Sequence, residues 1–323
     1  MFVKEINIQE IENIKIGNAQ DFTGGTGCTV VICEHGAPAG LDVRGGGPAS
    51  RESELLKPLA ACQKIHAVLL SGGSAFGLDA AGGVMRYLEE RDIGLDVGGT
   101  KVPLVCQSCI FDLAVQDSKA RPDQTMGYQA CVNAEQGLYQ DGSYGAGTGA
   151  TVGKMQGMAR CMKSGIGSYA VQTGELKVGA VVVVNAVGDI YDWKTARKVA
   201  GVLSEDRQTL APGAFVSSMS NHDYAANTTI GVIITNAKFT KTELCKIAGM
   251  AHNGLARAIY PVHTSADGDS LYAVSSGDVK ASQDAVGSLA SEVVAEAILR
   301  AVMNTTSMYG YPSVKALNER KKT

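Results

Sequence analysis

The sequence is poor in aromatics, 6% of its residues, and carries few charges, 19%. Its formal net charge is −3, with no block of basic residues. Nucleic-acid-binding chains carry a clustered basic footprint, so no such partner is expected. Long hydrophobic runs are missing too. Val178 to Val184 is the longest, far short of the ~20 residues of a membrane span. The opening stretch MFVKEINIQEIENIKIG is charged throughout and lacks the apolar segment of a secretion signal. A cytoplasmic protein with no membrane partner is expected. There, the eight cysteines are not expected to pair as disulfides. Cys106 and Cys109 form a CxxC inside an apolar run, with no second CxxC or HxxxH to accompany it. Packing is the reading there, with metal or redox use as the alternative. No metal and no organic cofactor is expected.

Glycine is what the chain has in excess: 39 in 323 residues, well above the usual ~7%. That excess suggests close backbone approach, tight turns and glycine-lined pockets. The apolar fraction of 45% is that of a globular chain. The length fits one large domain or two modest ones, with a sizeable core. No repeat, low-complexity tract or polar linker divides it.

Strands are predicted at 28–33, 67–70, 102–111, 168–172, 177–188 and 229–236. Several are apolar on both faces, as in a sheet covered on both sides. A TGE turn makes 168–188 a hairpin. One helix is predicted from about Ser74 to Glu90, burying Phe76, Leu78, Ala81, Met85 and Leu88. Another follows Pro122, which suits a first helical turn. A third starts at Thr240, where Thr240 and Glu243 have capping-box spacing. A fourth spans roughly Gln283 to Met303. The stretch 192–227 reads as an exposed loop. Helices outside sheets imply layers, and the order of elements fits three layers or four.

Several stretches could carry chemistry. AANTTIGVIITN (225–236) sets an Asn-Thr-Thr triplet against the start of a strand. The triplet recurs at Asn304-Thr305-Thr306, so it decides nothing alone. YGAGTGATVGK (144–154) invites a phosphate-loop reading, which needs G-x-x-x-x-G-K-[ST]. Thr148 stands in place of its first glycine and Met155 in place of its Ser or Thr, so nucleotide binding is disfavoured. What remains is a turn with a solvated lysine, or a loop around Gly147 that lets a substrate or another backbone come close, with Lys154 supplying charge. LLSGGSAFGLDAAGGV (69–84) is either a tight strand-to-helix turn or a set of N–H groups for an oxyanion at Gly72, Gly73 and Ser74. HTSADGDSLYAVSS (263–276) puts Asp267 and Asp269 two apart. On a strand they would share a side, which is costly without a cation or shared proton. A surface turn is the alternative, while a calcium loop lacks its further ligands. His263 reads as structural. Asn185 ends an apolar strand, where its amide needs partners. It caps that strand or aims a donor at a bound carbonyl.

Together GCTVVIC, LDVRGGGPASRESELL, LLSGGSAFGLDAAGGVMRYLEE, VPLVCQSCIFDL, GAGTGATVGK, GAVVVVNAVGDIYD, NTTIGVIITN and HTSADGDSLYAV resemble the S58, or DmpA-like, peptidases. They keep one order over about residues 24 to 295. That family includes aminopeptidases, β-aminopeptidyl hydrolases and nylon-oligomer (6-aminohexanoate oligomer) hydrolases, and the likeness is greatest to the last, where cleavage falls between Asn and Thr. The resemblance implies an α+β fold, a four-layer αββα sandwich of the N-terminal-nucleophile hydrolase type. It implies one catalytic domain, 1–323, that cuts itself into 1–227 and 228–323. Cleavage after Asn227 would make Thr228 the nucleophile. Its new α-amine, with an unperturbed pKa of ~7.7–8, would be its base.

By the same resemblance Lys154, Asn185, Asp267 and Asp269 surround Thr228. Asn185 would be an oxyanion donor, and Lys154 would balance the carboxylates, which orient the amine or activate Thr228. Phe111 stands where some relatives have tyrosine and lacks the hydroxyl; with Gly72, Gly73, Ser74 and Gly147 it is a candidate substrate contact. Thr305 has neither a following strand nor an Asp pair. The expected function is an autoprocessing N-terminal-threonine amidohydrolase or aminopeptidase. Its substrates would be small peptides or amino-acid oligomers, and it would be a homo-oligomer, with a tetramer favoured. The alternatives are an acyltransferase with the same self-cleavage and a non-enzymatic small-molecule binder.

Overall fold

The run Val178–Val184 lacks polar alternation because both faces of its strand are covered. Val181 and Val183 enter one hydrophobic core, while Val178, Ala180, Val182 and Val184 enter another. The computed structural model describes residues 3–213 and 227–320. The main strands in chain order are β1 (Lys4–Ile6), β2 (Lys15–Asp21), β3 (Thr26–Ala37), β4 (Ala39–Val43), β5 (Ala49–Arg51), β6 (Ile65–Ser71) and β7 (Val105–Cys109). They continue with β8 (Ile166–Thr173), β9 (Leu176–Asn185), β10 (Thr228–Ala237) and β11 (Ser270–Val279). The helices are α1 (Ala80–Glu89), α2 (Gln124–Glu135), α3 (Lys241–Ala258) and α4 (Gln283–Met303), followed by a short α5 (Val314–Arg320).

One sheet has the order β2-β3-β6-β7-β5, the other β1-β8-β9-β10-β11-β4. The pairs β6–β7 and β10–β11 are parallel and the rest antiparallel. Three cores fill the spaces between layers. Val30, Leu69, Ala81 and Leu88 join α1 and α2 to the first sheet. Val31, Val68, Val183, Ile230, Val232 and Ile234 fill the gap between the sheets. Ile233, Leu244, Val294 and Ile298 join the second sheet to α3 and α4. The result is the four-layer αββα order. Close approach accounts for part of the glycine excess. A Cβ at Gly17 would lie 2.2 Å from the Ala134 backbone of α2, and one at Gly167 would lie 2.2 Å from the Ala297 carbonyl of α4.

The third and fourth helices match their sequence signals, and Thr240 and Glu243 form the capping box. Elsewhere the structure departs from expectation. Residues Ser74–Asp79 form a 3-10 turn, and α-helix begins only at Ala80. Phe76 is 57% exposed there, under the Arg121 guanidinium at 3.6 Å, not on a buried face. Asp123 caps α2 through the Met126 N–H, so Pro122 precedes the cap instead of entering the first turn. The run 102–111 is cut by Pro103, and only Val105–Cys109 joins the first sheet. Part of the supposed loop is ordered: Lys198–Ala200 pairs with Asp189–Tyr191, while 214–226 lies outside the described residues. Asp267 and Asp269 sit in the turn before β11, not on a strand.

All eight cysteines are free. Burial pushes the Cys106 thiol up to about 12, which fits the packing reading of the CxxC. Among the described residues no helix is long and apolar enough to cross a membrane.

Candidate active site

Strand parity puts Asn185 and Thr228 on the same side. Asn185 continues the row of Val181 and Val183, and Thr228 the row of Ile230 and Val232, all facing the space between the sheets. The register pairs Asn185 with Thr228. Both residues therefore close one end of the inter-sheet core, where loops of the first sheet arrive.

Lys154 reaches this point from the glycine-rich loop. Its Nζ donates to Asn185 Oδ1 at 2.6 Å and to the Asn185 carbonyl at 3.0 Å. Asn185 Oδ1 also accepts from the Thr151 N–H at 3.1 Å, and its Nδ2 donates to the Phe111 carbonyl at 2.9 Å. Phe111 thus meets the site residues through its backbone, and a phenol is not needed for that contact. Burial lowers the Lys154 ammonium to about 8, opposed by the charges of Cys161, Asp267 and Asp112.

The peptide before Thr228 is held on both sides. The Thr228 hydroxyl donates to the Asn227 carbonyl oxygen. The Gly268 N–H donates to the same oxygen at 2.8 Å, and the Asn227 N–H donates to the Ala266 carbonyl at 3.2 Å. The Asn227 amide side chain is buried, with neither polar atom paired among the described residues. Gly268 is required by space: a Cβ there would lie 2.8 Å from Thr228 Oγ1 and 3.0 Å from the Gly47 carbonyl.

The two carboxylates flank Gly268 and hold different partners. Asp267 Oδ2 accepts from the Thr264 N–H at 2.8 Å and the Thr264 hydroxyl at 2.6 Å. Asp269 Oδ1 accepts from the Thr229 N–H at 2.7 Å, and its Oδ2 from the His263 N–H at 3.1 Å and His263 Nδ1 at 2.8 Å. Burial, then the neighbouring Asp269 charge, pushes Asp267 up to about 6. Their spacing locks a turn from both ends and presents the N–H between them.

Three features here had no site role in the sequence. Gly45–Gly47 wrap the acidic turn: the Gly45 and Gly47 N–H groups donate to the Asp269 and Asp267 carbonyls at 3.3 and 2.8 Å. A Cβ at Gly45 would lie 2.3 Å from the Asp267 carbonyl. Asp112, buried beside Phe111, accepts from the Thr26 hydroxyl and the Gly73 N–H, both at 2.7 Å, and burial raises its pKa. Lys163 is fully buried and donates to the Gly147 and Ala150 carbonyls at 3.0 and 3.1 Å and to Ser164 O. Burial lowers its ammonium to about 7, and the charge of Asp112 opposes that. It braces the loop from which Lys154 projects. The run of three glycines was the visible signal; a lone Asp and a lone Lys in sequence carry none.

The other candidates are engaged in the scaffold. The N–H groups of Gly72, Gly73 and Ser74 go to Gly27 O, Asp112 Oδ1 and Ile110 O at 2.8, 2.7 and 2.9 Å, which leaves none for an anion. The Gly147 N–H goes to Tyr144 O at 2.9 Å. Thr305 donates to the Val302 carbonyl at 2.9 Å, beyond the end of α4. Among the described residues no three His, Cys, Asp or Glu side chains gather as a ligand set for a metal ion.

Two sheets face to face between helix layers are the architecture of an N-terminal-nucleophile-type hydrolase fold. The L-aminopeptidase D-Ala-esterase/amidase of Ochrobactrum anthropi, solved as a variant of that fold, superimposes with a TM-score of 0.73 at 17% identity, over 98% of this chain and 93% of that one. The model of peptidase family S58 matches residues 7–315. A Mycobacterium leprae protein named as an uncharacterized aminopeptidase is 37% identical over 313 residues, covering 89% of this chain and 85% of its own. A 6-aminohexanoate-oligomer endohydrolase of Kocuria sp. (strain KY2) is 31% identical over 315 residues, covering 90% and 84%. The chain belongs to peptidase family S58 and is a hydrolase of peptide or amide bonds. The alternative of a non-enzymatic binder ends there.

Proposed function

We propose that the chain cuts itself between Asn227 and Thr228 and then hydrolyses amide bonds of small peptides or amino-acid oligomers through an acyl-enzyme on Thr228. One observation carries this reading. The carbonyl before Thr228 accepts from both the Thr228 hydroxyl and the Gly268 N–H, at the head of a wholly buried strand. Attack of Oγ1 on the Asn227 carbonyl carbon would move negative charge onto that oxygen, where Gly268 already donates. Collapse breaks the C–N bond, and the nitrogen takes up the proton that Oγ1 gave up, becoming the new α-amine. Water then hydrolyses the ester. In turnover the free α-amine takes the hydroxyl proton as Oγ1 attacks the substrate carbonyl and gives it to the departing substrate amine as the C–N bond breaks; water then releases the acyl group. Asn185 has a second Nδ2 hydrogen beyond the one given to Phe111, available to the substrate oxyanion. Lys154 holds Asn185 and supplies positive charge. The name of the Kocuria relative favours amino-acid oligomers as substrates. An amine in place of water as acceptor would make the same site an acyltransferase, and product analysis with added amine separates the two. By family resemblance the protein assembles as a homo-oligomer, which light scattering tests.

Intact mass and N-terminal sequencing test the cut: the smaller piece should begin Thr-Thr-Ile-Gly, and any other start removes Thr228 as nucleophile. Gly268→Ala should slow self-cleavage by about 10-fold or more, since its methyl group crowds Oγ1 and shifts a donor worth ~2.7–4 kcal/mol in other oxyanion sites. Unchanged processing of that variant would take Gly268 out of the step.

Self-cleavage should follow a bell in pH. Asp267, raised to about 6 by burial, must be ionised, so the rate rises through about pH 6. Lys154, lowered to about 8, must stay charged, so the rate falls above about pH 8. Both values belong to an interacting group. Gel densitometry of freshly refolded precursor from pH 5 to 9 measures this; a flat profile would contradict it.

A further inference from the structure

Behind Asp269, on the side away from Thr228, lies a pair of histidines that the hydrolytic steps above do not use. His263 donates its backbone N–H and meets with Nδ1 the same oxygen of Asp269, at 3.1 and 2.8 Å. Its backbone sits in the left-handed region, at φ 58°, which non-glycine residues adopt only when surroundings hold them there. Its ring packs edge-to-face on His252, with centroids 4.8 Å apart. His252 is fully buried in α3, and its Nε2 meets the Asp42 carbonyl at 3.0 Å. Arg44 Nε in turn binds Asp42 Oδ1 at 2.9 Å.

Partners assign the tautomers. A carboxylate only accepts, so His263 carries its proton on Nδ1; a carbonyl only accepts, so His252 carries its proton on Nε2. The remaining atoms, His263 Nε2 and His252 Nδ1, are buried without a hydrogen-bond partner among the described residues. Among those residues no competing acceptor draws the proton of His263 away from Asp269.

We propose that His263 is a positioning residue. Its Nδ1–H and N–H fix one oxygen of Asp269 so that the other holds the Thr229 N–H, and this sets where Thr228 stands. The inference rests on the Thr228 reading above. It explains why a carboxylate one residue past Gly268 keeps one orientation: both its oxygens are taken, one by the strand and one by the histidine.

Side-chain geometry gives the test. Asparagine places Nδ2 where histidine has Nδ1, glutamine places its amide where histidine has Nε2, and leucine has no donor. His263→Asn should keep turnover within a few-fold. His263→Leu and His263→Gln should lower kcat by about 10- to 100-fold, the range for losing a hydrogen bond to a charged group, with KM little changed. In those two the acid limb of the pH–rate profile should also move to higher pH. Asp267, Asp112, Lys154, His252, Asp42 and Arg44 face the same region, so the profile is compared among variants, not assigned to one group. Equal losses in all three variants, or in none, would overturn the proposal. Nitrogen NMR of the uncut Thr228→Ala protein gives a second readout. A persistent Nδ1–H tautomer of His263 that disappears in Asp269→Asn is expected, and an Nε2–H tautomer would overturn the pairing. Should Thr228→Ala protein still turn over, the nucleophile assignment fails instead, and the tautomer measurement decides the His263 contact by itself.

Discussion

Thr228→Ala protein is expected to remain a single chain of 33.6 kDa and to show no turnover above background, while Thr305→Ala cuts and works normally. The two threonines share an Asn-Thr-Thr triplet, so the contrast tests context alone. Thr228 lies beside a carbonyl that already accepts from Gly268 and heads a strand paired on both sides. Thr305 gives its hydroxyl to a helix carbonyl three residues back. Intact-mass spectrometry and an amide-hydrolysis assay on both variants decide it. Processing of Thr228→Ala would end the proposal; failure of Thr305→Ala to process would end the argument from context.

The second large effect is expected at the acidic turn. Asp267→Asn and Asp269→Asn should each lower turnover by about 100-fold or more, within the range for lost acid–base or orienting groups. At least one should also slow self-cleavage. The double variant should be little worse than the poorer single, because both carboxylates brace one turn and one N–H. Asp267 fixes the turn from Thr264, and Asp269 ties it to Thr229 and His263. Rates from the four proteins of the mutant cycle, with folding checked by circular dichroism, supply the measurement. Small losses that simply add would leave Thr228 needing another activating group.

What the sequence made legible follows from range. Capping boxes and helical periods are local, so the start of α3 at its Thr240 cap and the rough span of α4 were readable. The doubly apolar strands β9 and β10 were readable because a covered sheet demands them. The strand pairing within the second sheet that puts Asn185 opposite Thr228 is a matter of register between segments over forty residues apart, and only the family resemblance brought them together. Parity then explains the outcome, as both residues extend rows that face the inter-sheet core. The carboxylate spacing was visible but its meaning was not. Period two suggested a shared strand face, whereas the residues clamp a turn whose central N–H faces the carbonyl. Asp112 and Lys163 act through contacts distant in the chain, and the short separation of His263 from Asp269 matches no spacing that marks a site in the sequence.

The sheet order bears on what a cut before Thr228 would do to the assembly. In the sequence β1-β8-β9-β10-β11-β4, the two strands of the C-terminal piece lie between three strands of the N-terminal piece on one side and one on the other. That piece also carries α3 and α4, which cover the same sheet. Separation would have to unzip two strand interfaces and expose two cores at once. The severed polypeptides would behave as one folding unit under native conditions and part only in denaturant. The nucleophile would then be a chain terminus with the rigidity of a mid-sheet residue, and a circular permutant beginning at Thr228 should dispense with self-cleavage altogether.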